Sequence, residues 1–146
     1  ADEPTTALDV TVQAQILNIL NSLRKERKLS ILFISHDFGV ISQLCDRVIV
    51  MYAGSIVEEG PVKNIMQQAA HPYTSELIKC VPQLGNKEHA LHSIPGNPPS
   101  LNQLPEGCAF ANRCQYKQNQ CLKEAVPVSS KDNRSYKCFY PVGGVA

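Results

Sequence analysis

The chain has 146 residues, enough for one ordinary domain or for part of a domain with an appendage. A hydrophobic content of 43% and a charged content of 18% belong to a folded chain, not a disordered one. The net charge of +1 offers no basic surface for nucleic acid, and no apolar run approaches the roughly 18 residues that cross a bilayer.

The opening stretch is Ala1-Asp2-Glu3-Pro4-Thr5-Thr6-Ala7-Leu8-Asp9. Two adjacent carboxylates begin it and a third closes it. In many nucleotide hydrolases one acid at a strand end holds Mg²⁺ and a second handles the attacking water. From Val10 to Arg27 the spacing of Val12, Ile16, Ile19, Leu20 and Leu23 predicts an amphipathic helix. Asp9 is its expected N-cap, and Arg24, Lys25, Arg27 and Lys28 suit the negative end of its dipole. Leu29 to Ile34 is a short apolar run that predicts a buried parallel strand. His36 follows at the end where open α/β sheets place ligands. A neutral imidazole there can donate one hydrogen bond and accept another.

A short helix is expected from Phe38 to Cys45, with Cys45 as a small core residue. Arg47 to Tyr52 and Ser55 to Glu59 read as two strands joined at Ala53-Gly54, with Gly60-Pro61 ending the second. Val62 to Gln68 predicts a small helix. His71-Pro72-Tyr73-Thr74 opens another over Ser75 to Cys80, with Pro72 in the tolerant first turn. No cysteine or carboxylate stands at ligand spacing from His71, which argues against a metal role for it. From Val81 to Gly107 prolines and glycines crowd the chain. An extended connector is expected, with His89 and His92 on its surface.

Six cysteines are many for a chain of this size, and imply either an oxidising compartment or a metal. Cys108, Cys114, Cys121 and Cys138 are separated by five, six and sixteen residues. Structural zinc sites usually contain a Cys-x₂₋₄-Cys knuckle, and these four contain none. Wider, uneven loops suit an iron–sulfur cluster better. Two disulfides and a zinc site stay open as alternatives.

Asp2-Glu3-Pro4 resembles the end of a Walker B strand of the ABC-type ATPases, Ala7-Leu8-Asp9 their D-loop, and His36 their switch histidine. His71-Pro72-Tyr73-Thr74, Ile94-Pro95-Gly96-Asn97-Pro98-Pro99 and the four cysteines resemble the ATP-binding subunits of oligopeptide and dipeptide importers. The sequence carries no Gly-x-x-x-x-Gly-Lys-Ser/Thr phosphate loop, no Gln loop and no Leu-Ser-Gly-Gly signature. It is therefore expected to be the C-terminal part of a longer ATPase, inactive alone.

The resemblance implies an α/β fold: part of a P-loop NTPase parallel sheet with flanking helices, followed by an irregular cysteine-cluster extension. The implied divisions are 1–70 for the ATPase part, 71–107 for the His-Pro-Tyr helix and connector, and 108–146 for the extension. It implies that Asp2 holds Mg²⁺ through water, Glu3 polarises the attacking water, Asp9 reaches across a dimer interface, and His36 senses the γ-phosphate of ATP. In at least some family members the cysteines bind a 4Fe–4S cluster. The implied partners are a second ATPase subunit, transmembrane permease subunits and an extracellular peptide-binding protein. The implied location is peripheral, on the cytoplasmic face of the membrane, with no nucleic acid involved. Two rival readings are a free-standing cysteine-cluster interaction or redox module, and a zinc-containing DNA-repair ABC ATPase. The lack of Cys-x-x-Cys knuckles and of a basic face counts against the second.

Overall fold

The computed structural model describes residues 1–81 and 92–144. His89, Pro82 and Gly85 of the expected connector lie outside the described residues. The chain forms two compact units, Ala1–Cys45 and Asp46–Ala146.

In the first unit, helix α1 spans Val10–Arg27. The Asp9 carboxylate accepts the N–H groups of Thr11 and Val12, both at 2.9 Å, and so satisfies donors the helix start leaves free. Lys28 ends the helix in the left-handed region, φ 52°, and its N–H returns to the Arg24 carbonyl. Helix α2 spans Phe38–Leu44, with Asp37 as N-cap and Phe38, Val40, Ile41 and Leu44 buried.

The expected strand at Leu29–Ile34 is reduced to one isolated parallel bridge between Asp2 and Ile34. Three hydrogen bonds run beside it, from Ala1 N to Leu32 O, Ile34 N to Ala1 O and Glu3 N to Ile34 O, at 2.8–2.9 Å. A parallel strand needs cover on both faces. Here Leu29, Leu32 and Ile34 are 50%, 74% and 50% exposed, and only Phe33 of the run is buried.

The second unit contains the sheet. Strands β1 (Arg47–Tyr52), β2 (Ser55–Pro61), β3 (Ser129–Lys131) and β4 (Arg134–Tyr136) lie in the order β1-β2-β4-β3. Every pairing in it is antiparallel, and the parallel pairing found among the described residues is the Asp2–Ile34 bridge of the first unit. β1 alternates by period two: Val48, Val50 and Tyr52 are buried while Ile49 and Met51 are exposed. β2 runs two residues past the expected end at Glu59 and takes in Gly60-Pro61, because Arg47 still pairs with Pro61.

The extension is not irregular throughout. Asp132 and Asn133 both take positive φ, 52° and 58°, the two-residue turn that matches strand twist. That turn folds β3 onto β4, and β4 then pairs with the free side of β2 through Glu58–Tyr136 and Glu59–Ser135. Helix α5 (Gln120–Lys123) and two 3₁₀ turns, Leu101–Gln103 and Ala111–Arg113, complete this part. No helix among the described residues is long and apolar enough to cross a membrane.

Helices α3 (Val62–Gln67) and α4 (Pro72–Lys79) stand where the sequence places them. Between them lies a buried carboxylate that the sequence did not announce. Glu58 is fully buried and its two oxygens accept the N–H groups of Ala70 at 2.8 Å and His71 at 2.9 Å. Arg134, 8% exposed, stands 4.0 Å away and also donates to the Gln68 carbonyl. A carboxylate at a helix start gains from the dipole and from charge-assisted N–H bonds. Replacing it strands two buried donors and a buried cation. Glu58→Ala is expected to cost about 3 kcal/mol or more, read as a lower denaturant midpoint. Glu58→Gln, which keeps one acceptor oxygen, should lose less.

Candidate functional site

Two groups of candidate residues occupy the two units. In the first unit the parallel bridge places the ends of two segments side by side, and the residues that follow meet. His36 Nδ1 lies 2.8 Å from Glu3 Oε1, and the Thr6 hydroxyl donates to the other Glu3 oxygen. Glu3 itself sits at φ 43°, a backbone state that non-glycine residues seldom adopt.

The Thr6 hydroxyl first, and His36 second, hold the Glu3 carboxyl below its ordinary range. The Glu3 hydrogen bond holds the His36 imidazole above its ordinary range. Asp2 carries the bridge and is exposed. Asp9 has its carboxylate engaged as the α1 cap. Of the four expected nucleotide-site residues, then, Glu3 and His36 are brought together. Asp2 is beside them in the chain, and Asp9 serves the helix.

The two shifts bound a pH window. A raised histidine pKa means the charged contact is complete below the free imidazole value and fades as pH rises through the folded one. A lowered carboxyl pKa means the contact is complete above the free carboxyl value and fades as pH falls through the folded one. The pair is therefore an ion pair between those limits. The His36 ring protons, followed by NMR, should titrate above the free imidazole value. Glu3→Gln should bring the midpoint back toward about 6.5.

In the second unit, Cys108, Cys114, Cys121 and Cys138 line a single pocket with His71, Phe110, Tyr116 and Tyr140 among its walls. Sequence spacing separated them; turns gather them. Cys108 N donates to Cys121 O at 2.7 Å, Ala111 N to Cys108 O at 2.9 Å, and Cys121 N to Gln118 O at 3.0 Å. Gly107 permits the first of these: a Cβ there would lie 2.3 Å from the Cys121 carbonyl oxygen. Cys138 follows β4, where Lys137 N donates to Val57 O at 2.9 Å.

All six cysteines are free thiols, and Cys121 is buried. Burial pushes the Cys108 and Cys114 thiols up and pushes Cys138 up to about 12. Opposing this, backbone N–H groups approach three sulfurs from two residues on: Phe110 on Cys108, Tyr116 on Cys114 and Tyr140 on Cys138. The Cys-x-aromatic repeat behind this was visible in the sequence. Negative charge on Cys108, Cys114 or Cys121 would raise Cys138 further, so four thiolates here require a cation. Among the described residues no group of three or more His, Cys, Asp or Glu is arranged to hold a metal ion.

Arg113 fastens the pocket to the connector. Its guanidinium donates to Ile94 O and Pro95 O, both at 2.9 Å, and to the Tyr52 hydroxyl at 3.3 Å. It stands 5.9 Å from the Phe110 ring centroid. Phe110 in turn packs on Tyr52 and Tyr73, each at 5.3 Å. His92, expected on the connector surface, pairs with Glu76 at 2.5 Å.

His71, for which the sequence argues against a metal role, stands beside the cysteines: its Nε2 lies 4.0 Å from Cys108 Sγ. Burial lowers its pKa to about 4, so the ring is neutral. Glu58, Arg113 and Arg134 were missed as organising residues. Their partners lie 12 to 76 positions away or in the connector, beyond any local pattern.

Residues 57–121 match the family described as Oligopeptide/dipeptide transporter, C-terminal region. That stretch holds Glu58, His71 and three of the four pocket cysteines. Along 97% of its length the chain is 46% identical to the Probable D,D-dipeptide transport ATP-binding protein of Escherichia coli K12, covering 43% of it. It is equally similar to the Oligopeptide transport ATP-binding protein of Salmonella typhimurium, with 46% identity over 97% of the chain and 42% of that protein. The Haemophilus influenzae protein of the same description is 53% identical over 83% of the chain and 38% of its own length. The chain is thus a relative of peptide-transport ATP-binding proteins, and spans about two fifths of the length of the curated relatives it matches.

Proposed function

We propose that this chain forms part of the ATP-hydrolysing subunit of an ABC importer for oligopeptides or dipeptides. The observation that carries the reading is the Glu3–His36 contact at 2.8 Å, at the ends of two segments paired in parallel. A carboxylate that stays ionised beside an imidazole can accept a proton from water while the imidazole faces a phosphate oxygen. In that reading Glu3 polarises the attacking water and His36 contacts the γ-phosphate of ATP. Asp2 holds Mg²⁺ through water, and Asp9 faces a second ATPase subunit. The remaining partners are transmembrane permease subunits at the cytoplasmic face and an extracellular peptide-binding protein. The 146 residues carry no phosphate loop and are inactive by themselves.

Glu3→Gln, placed in the full-length subunit assembled with its permease, should lower ATP turnover about 100-fold or more while nucleotide binding persists. Unchanged turnover would sink the assignment.

The four pocket cysteines belong, in the same proposal, to a 4Fe–4S site. The donor chemistry supports it: four sulfurs on one pocket, aromatic walls, and backbone N–H groups directed at three of the sulfurs. Such a cluster, when bound, supplies the positive charge that four thiolates need. Zinc fits less well, since the four cysteines contain no Cys-x₂₋₄-Cys knuckle. Anaerobically purified protein should contain iron and acid-labile sulfide in equal amounts, about four of each per chain. A Cys121→Ser variant should lose them. Zinc alone, or no metal, would refute the cluster.

A further inference from the structure

His71 is tied down at both ends of its ring. At one end, the Tyr73 N–H donates to Nδ1 at 3.1 Å, which makes His71 the N-cap of α4. A ring nitrogen that accepts a hydrogen bond carries no proton, so the imidazole proton sits on Nε2. At the other end, Nε2 faces Cys108 Sγ at 4.0 Å, and the ring lines the cysteine pocket. Little room is left for rearrangement. The residue is 1% exposed, its backbone N–H donates to the buried Glu58, and its ring packs on Phe110 at 5.9 Å. Flipping the ring would exchange Nδ1 for a carbon and lose the cap.

We propose that His71 is a positioning residue of the cysteine site, whose Nε2–H donates to the Cys108 sulfur and which is not itself a metal ligand. The proposal deepens the iron–sulfur reading and rests on it for its redox consequence. Cys108 already faces the N–H groups of Phe110 and Ala111. With His71 it has a side-chain donor as well, whereas Cys114 and Cys138 each face one backbone N–H. Donors on a ligating sulfur favour the more negative state of a cluster and raise its reduction potential.

Asparagine separates this role from a capping role. It caps a helix well, and its short side chain cannot serve Tyr73 N and reach Cys108 together. The test compares the full-length, anaerobically purified subunit with its His71→Asn variant. Iron and sulfide content should be unchanged and the cluster's reduction potential more negative. An identical potential, or a loss of iron as a ligand's removal would cause, overturns the proposal. A second measurement does not depend on the variant or on the metal. Long-range ¹H–¹⁵N spectra of labelled protein should find the His71 proton on Nε2 with Nδ1 bare. A proton on Nδ1 overturns the proposal. Protein that purifies without iron and sulfide refutes the cluster, and the tautomer then still decides whether His71 presents a donor to Cys108.

Discussion

The second unit depends on one carboxylate. Glu58 projects from β2 into a fully buried position and meets the two N–H groups that precede and open α4. An unpaired buried charge would cost several kcal/mol, so the arrangement holds only because everything around Glu58 is committed. Ala70 and His71 supply the donors, and Arg134 supplies the counter-charge from β4. Arg134 reaches β2 only because the Asp132-Asn133 turn returns the chain along it. One side chain thus ties the sheet, the His-Pro-Tyr helix and the tail into a single body. With His71 N anchored, the His71 ring has a defined exit toward the pocket.

The two candidate sites contrast in how they hold charge. Glu3 and His36 are both open to solvent, 39% and 78% exposed, so water screens their attraction and either can exchange partners at little cost. In the proposed reading such a pair meets a water and a phosphate in turn. The cysteine pocket is walled by Phe110, Tyr116 and Tyr140. There, burial raises the Cys108, Cys114 and Cys138 thiols, and backbone N–H groups only partly offset it. A surface pair can function as found, while a pocket of this kind becomes anionic only together with a cation.

Local signals in the sequence proved sufficient where the cause was local. Asp9 as cap, a helix over Val10–Arg27, a strand over Arg47–Tyr52 and Pro72 in the first turn of α4 each follow from neighbouring residues and are found as expected. The Glu3–His36 meeting was also legible, because motif order fixed it in advance. The strand at Leu29–Ile34 was misjudged because strand formation is decided by neighbours and cover, not by the run itself. The tail's hairpin was missed although Asp-Asn between two polar triplets is a usable turn signal. Ser-Ser-Lys and Arg-Ser-Tyr have no apolar alternation to draw attention to them.

The pocket was half legible, and the missing half is instructive. Spacing argued against a compact zinc knuckle but could not bring four loops together. What gathers them is backbone: tight turns at Cys108, Cys114 and Cys121, and a glycine at 107 where any side chain would strike the Cys121 carbonyl. Turns of this kind use N–H and C=O groups locally and direct further N–H groups at the sulfurs of Cys108, Cys114 and Cys138. A short segment with three-residue strands and a one-turn helix buries little apolar surface. Its order must then come from few, strong constraints. On the protein side these are the Arg113 clamp on Ile94 and Pro95, the Glu58–Arg134 pair and the strand pairing with β2. All three converge on the walls of the pocket and none enters it, so the sulfurs are held at a common cavity without being bonded to one another.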